Sequence, residues 1–83
     1  MEQKFDFSQV DPLFVEVARY VVTTGKVQVS ALQRDFELGY NRAGRIISQL
    51  EAAGIVGAAV RCKPRAVQCT AEELENRLAE WQK

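Results

Sequence analysis

Three observations in the 83-residue sequence predict an α+β domain of winged helix-turn-helix architecture. Apolar residues recur at helical spacing in three segments before residue 55. The second and third of these segments are parted by a tight break at Leu38-Gly39. Two short strand-like stretches, Ile55-Val56 and Ala66-Val67-Gln68-Cys69, then flank a basic tip at Arg61-Cys62-Lys63-Pro64-Arg65. Helix, short strand, short helix, turn, helix and hairpin is the order of a winged helix, here followed by one additional C-terminal helix. The expected division is an N-terminal arm over 1–10, the winged-helix domain over 11–69 and the last helix over 70–83.

Each element has a local cause. In the arm, Phe5, Phe7 and Val10 alternate with polar residues, as in a short edge strand. Asp11-Pro12 is a helix start, with Asp at the N-cap and Pro at the first helical position, where no N–H is needed. Leu13, Phe14, Val17, Ala18, Val21 and Val22 continue that helix to a stop at Gly25. Val27-Gln28-Val29 alternates as a short strand would. Ser30 with Gln33 has capping-box spacing and opens the second helix, whose apolar pair is Leu32 and Phe36. The third helix runs from Tyr40-Asn41 to Gly54. With about 100° per residue, Ala43, Ile46, Ile47, Leu50 and Ala53 share one face, while Asn41, Arg45, Ser48 and Ala52 share the opposite one. Pro64 suits a hairpin tip. Thr70 with Glu73 is a second capping box, and Leu74, Leu78 and Trp81 make one apolar stripe on the last helix. That stripe either folds back on its own domain or pairs with a second copy.

Composition excludes much. A chain of this size, 47% hydrophobic and 27% charged, is one small folded domain. It has no apolar run near the roughly 18 residues of a membrane span and no secretion signal, so a cytoplasmic location is expected. Histidine is absent, and the two cysteines, Cys62 and Cys69, do not make a zinc site. A surface thiol and a small strand residue are the expected roles of these cysteines. No nucleophile stands with a base, and no cofactor motif is present. An enzyme, a cofactor and a small-molecule substrate are therefore not expected.

Net charge is zero, but it is unevenly distributed. Residues 41–65 carry Arg42, Arg45, Arg61, Lys63 and Arg65 against Glu51 alone, and the flanking segments are net acidic. The positive segment covers the third helix and the hairpin, the two elements with which a winged helix contacts DNA. Asn pairs bidentately with adenine and Arg with guanine, and Asn41 and Arg45 lie one turn apart near the helix start. Asn41 could equally be an N-cap. Tyr40 is a phosphate contact or a core aromatic closing the turn.

Leu38-Gly39-Tyr40-Asn41-Arg42-Ala43-Gly44-Arg45-Ile46-Ile47, followed by Leu50-Glu51-Ala52-Ala53-Gly54-Ile55-Val56, resembles the gamma domain of FtsK/SpoIIIE-type DNA translocases. Asp11-Pro12-Leu13-Phe14, Leu32-Gln33-Arg34-Asp35-Phe36 and Lys63-Pro64-Arg65 with Val67 extend the resemblance from Asp11 to about Val67. It implies a winged helix that binds a short, polar, G-rich chromosomal sequence in double-stranded DNA, orients a translocase in chromosome segregation and touches a XerCD-type recombinase. Asn41, Arg45 and Ser48 would read bases, from a recognition helix at about 40–53. Tyr40, Arg42, Arg61, Lys63 and Arg65 would contact the DNA backbone, the last three from a wing at about 57–66. The chain departs from the family pattern at Ser48, where Glu is common, at Glu37, where a basic residue is usual, and at Gly44, where Ala is preferred. The initial Met and the lack of a motor favour a free-standing relative. Two other functions fit the same residues: a transcriptional or plasmid/phage maintenance regulator, and a protein-interaction winged helix that has lost DNA binding.

Overall fold

The computed structural model describes residues 5–58 and 65–82. Its elements are a 3₁₀ turn, Phe7–Gln9, and four helices: α1 (Phe14–Thr24), α2 (Val29–Phe36), α3 (Tyr40–Ala52) and α4 (Ala71–Trp81). Helices α1, α2 and α3 enclose the core, and α4 packs on α1. Phe14, Leu32, Ile46, Leu50, Ile55, Leu74 and Leu78 are its largest fully buried aromatic and branched side chains. Among the described residues no polar or charged residue is buried.

Over its described residues, 5–10, the arm forms a 3₁₀ turn and not an edge strand. Asp6 caps the 3₁₀ turn, its Oδ1 accepting from the Ser8 backbone at 3.0 Å and the Ser8 hydroxyl at 2.6 Å. The turn folds Phe5 and Phe7 onto Phe14 and Trp81, with ring centroids 4.7–6.5 Å apart.

Helix α1 begins two residues after the expected start. Asp11 does cap, but it caps a turn: its Oδ1 accepts from the Leu13 backbone at 2.9 Å and its carbonyl from Phe14 at 2.8 Å. An i→i+3 bond therefore precedes the first helical turn. Gly25, at φ 76°, ends the helix as expected, its N–H donating to the Val21 carbonyl.

Val27-Gln28-Val29 is not a strand. Val27 is buried in the core, and the Gln28 carbonyl already accepts from Ala31 and Leu32, so the chain passes directly into α2. Gln28 is thus the N-cap, Ser30 lies inside the helix, and the Ser30–Gln33 capping box does not form. The α2–α3 turn also differs in detail. Glu37 takes the left-handed conformation, at φ 54°, while Gly39 is extended and serves as the N-cap of α3.

Ala43, Ile46, Ile47 and Leu50 bury one face of α3. At its end Gly54 (φ 79°) reverses the chain, and the Ile55 N–H reaches back to the Leu50 carbonyl at 2.9 Å. Val56 and Val67 then form one antiparallel bridge, flanked by Gly57 N–H to Ala66 O and Gln68 N–H to Ile55 O, both 2.8 Å. Among the described residues this bridge is the whole of the β structure. The basic tip Arg61-Cys62-Lys63-Pro64 lies outside them.

Thr70 opens α4 with the expected capping box: its Oγ1 accepts from the Glu73 backbone at 3.1 Å, and Glu73 Oε1 accepts from the Thr70 backbone at 2.9 Å. Leu74 and Leu78 are buried and Trp81 is half-buried, so the stripe folds back on its own chain. Arg77 donates to the Ala53 carbonyl at 3.1 Å, and Arg19 pairs with Glu75 at 2.9 Å. Cys69 is buried as a reduced thiol, and burial raises its pKa.

Candidate nucleic-acid interface

The first turns of α3 carry the candidate site because Gly39 caps the helix and its buried face fixes the rotation. Asn41, Arg45 and Ser48 all lie exposed on the side opposite Ala43, Ile46, Ile47 and Leu50. Among the described residues none of the three side chains has a hydrogen-bond partner. Asn41 is the second helical residue rather than the N-cap. Tyr40 is 68% exposed, so it does not close the turn as a core aromatic; it stands beside Asn41 at the helix start.

The two flanks of α3 are tied down. On one side Arg42 forms a two-pronged ion pair with Asp11: Nε lies 2.8 Å from Oδ2 and Nη2 lies 2.9 Å from Oδ1. The Asp11 backbone N–H donates to Gln49 Oε1, two turns along the same flank, at 3.1 Å. The Asp11 side chain is only 8% exposed. The Arg42 guanidinium bonded to it holds its carboxyl below the ordinary value, with a smaller contribution from Arg45 nearby. On the other side Arg65 Nη1 lies 2.9 Å from Glu51 Oε1 and donates to the Gly57 carbonyl at 2.9 Å. A cavity of about 360 Å³ opens along this second flank, lined by Val27, Gln28, Val29, Gly44, Ile47 and Arg65.

The arginines expected to contact DNA thus fall into different states. Arg45 is exposed on the outward face. Arg42 is engaged by Asp11, and Arg65 by Glu51 and a backbone carbonyl, so the acid of the positive segment stands at the hairpin base. Arg61 and Lys63 lie outside the described residues. Sequence reasoning missed Asp11, Gln49 and Glu51 as parts of the site. Only the helical angles of Arg42 and Gln49, both about a quarter turn from the outward face, hinted at a flanking partner.

The family model of the Ftsk gamma domain matches residues 8–70. The chain belongs to the FtsK gamma domain family. It is 46% identical over 66 residues to the DNA translocase SftA of Bacillus subtilis (strain 168), covering 80% of this chain and 7% of that protein. It is 51% identical over 57 residues to the DNA translocase FtsK of Vibrio parahaemolyticus, covering 69% of this chain and 6% of that protein. With the FtsK of Haemophilus ducreyi the identity is 51% over 49 residues, 59% of this chain and 5% of that protein. This gamma domain therefore spans less than a tenth of the relatives it matches. The match ends at residue 70, so α4 lies beyond it. No helix among the described residues is long and apolar enough to cross a membrane.

Proposed function

We propose that this gamma domain binds double-stranded DNA with a sequence preference, as a winged helix whose α3 enters the major groove. FtsK gamma domains are DNA-binding domains, and family membership supports that class of function. One observation carries the finer reading: the outward face of α3 presents Asn41, Arg45 and Ser48 without hydrogen-bond partners among the described residues, while both its flanks are occupied. Asn41 and Arg45 have the donor geometry for adenine and guanine edges, and the Ser48 hydroxyl can donate or accept one turn further on. Tyr40 and the first-turn amides face phosphate, as helix N-termini do. The Val56–Val67 bridge is the base of a two-stranded wing over about 57–66, from which Arg61 and Lys63 reach the adjacent backbone. The domain binds and does not catalyse. Joined to a translocase in the cytoplasm, it would orient that motor on DNA and meet a XerCD-type recombinase.

The test is selection of bound sequences from random duplexes, followed by titration at several salt concentrations. Enrichment of one short motif with salt-dependent affinity is the expected result. Equal recovery of all sequences would remove the base-reading role of α3. Absence of duplex binding at low salt would favour the protein-interaction reading, which the neutralised Arg42 and Arg65 support.

A further inference from the structure

We infer that Asp11 is a specificity-determining residue, acting by withholding Arg42 from the DNA backbone. The inference rests on the proposed placement of α3 in the groove. Three features of the structure single out Asp11. It is the carboxylate on the Arg42 flank of α3, nearly enclosed at 8% exposure, whereas Arg42 itself is 44% exposed. Both carboxylate oxygens are bonded to the guanidinium through Nε and Nη2, so that edge is taken and the charge a phosphate would attract is offset. Asp11 is also fixed independently of Arg42. Its Oδ1 accepts from Leu13, its carbonyl from Phe14, and its N–H donates to Gln49. Asp11 is therefore a rigid holder, and Arg42 is the held group.

The consequence concerns discrimination. Phosphate contacts add affinity for every sequence alike, whereas base contacts distinguish one from another. An Arg42 released beside Arg45 would strengthen binding to all duplexes and dilute the contribution of Asn41, Arg45 and Ser48. Holding Arg42 on Asp11 keeps the sequence-independent part of the affinity low. Among the described residues the pair also leaves Arg45 as the arginine of α3 without a hydrogen-bonded side-chain partner.

Asp11→Asn is the variant of choice, because the amide oxygen still accepts from Leu13 and the backbone bonds are untouched. Binding of the 83-residue chain to its selected duplex and to a scrambled duplex is measured across a fourfold range of salt. Glu16→Gln is the charge control: it removes one negative charge from the exposed start of α1 and frees no arginine. In Asp11→Asn the salt slope on scrambled duplex should steepen by about 0.9, so affinity falls about 3.5-fold more than wild type over that range. The ratio of selected to scrambled affinity should drop, and Asp11→Asn/Arg42→Ala should restore it. An unchanged slope in Asp11→Asn, or the same steepening in Glu16→Gln, overturns the inference and leaves DNA binding by α3 standing. A wild-type chain that binds neither duplex at any salt overturns both.

Discussion

The outward face of α3 and the seam between α1 and α4 are built on opposite plans. The seam is apolar and closed: Leu74 and Leu78 are buried, and Phe5, Phe7, Phe14 and Trp81 pack ring on ring. The α3 face is polar and open, and among the described residues the ion pairs near it stand at its edge rather than on it. Burial makes the seam a source of stability, and exposure leaves the α3 face free to make contacts elsewhere. Substitutions in the two regions should therefore be read out by different measurements.

The largest effect is expected at the seam. Leu78→Ala removes a fully buried side chain from a small core and should cost about 2–5 kcal/mol of folding stability, measured by denaturant unfolding. Duplex affinity per folded molecule should not change. A weakened affinity in the folded fraction would mean that the seam also shapes the interface. On the α3 face the pattern reverses. Asn41→Ala or Arg45→Ala should cost about 1–3 kcal/mol of binding to the preferred duplex and relax its sequence. Stability should move by less than about 0.5 kcal/mol, as for other exposed positions. If both variants kept the wild-type preference, the base-reading assignment would be wrong.

Thr70→Ala sharpens the comparison within α4. It removes the hydroxyl from the capping box while sparing the stripe, and a loss of about 1 kcal/mol is expected in thermal unfolding. A loss as large as that of Leu78→Ala would show that the cap, not the stripe, holds the helix.

The smallest effect is electrostatic. Arg42 lowers the Asp11 pKa in the folded state. A depressed folded pKa stabilises the fold above the unfolded value, near about 3.9, and this stabilisation is lost as pH falls through the folded value. Asp6, Asp35, Glu73 and Glu75 are lowered as well, so Asp11 supplies one share of the acid sensitivity. Asp11→Asn should lower stability slightly near neutrality and make it fall less steeply below about pH 5, so that the two curves converge at the acid limit. An identical acid limb in wild type and variant would show that the Arg42 pair contributes nothing to folding.

The parts of the fold legible in the sequence were those with local causes. The register of α3 follows from the spacing of Ala43, Ile46, Ile47 and Leu50, and the start of α4 follows from Thr70 and Glu73. Misreadings arose where a local signal competed with the rest of the molecule. Val27-Gln28-Val29 alternates like a strand, but burial of Val27 and the helix bonds of Gln28 take precedence. Ser30 has cap chemistry, yet the helix begins before it. The break at Leu38-Gly39 was readable, but not that Glu37 takes the left-handed position, in spite of the steric cost to a residue with a Cβ. The exposed trio of the site was readable from helical angles, but the Asp11–Arg42 pair joins residues 31 apart and has no local signature.

Locking α3 by both flanks turns its open face into a ruler of fixed length. At 1.5 Å per residue the seven steps from Asn41 to Ser48 advance about 10 Å along the axis. Stacked base pairs repeat every 3.4 Å or so, so a helix laid along the groove covers about three of them. With its position in the domain set by Asp11, Gln49 and Glu51, α3 can present this face only as one rigid length. Any preference that extends beyond about three base pairs must then come from the shape of the DNA, from the wing, or from further copies placed side by side.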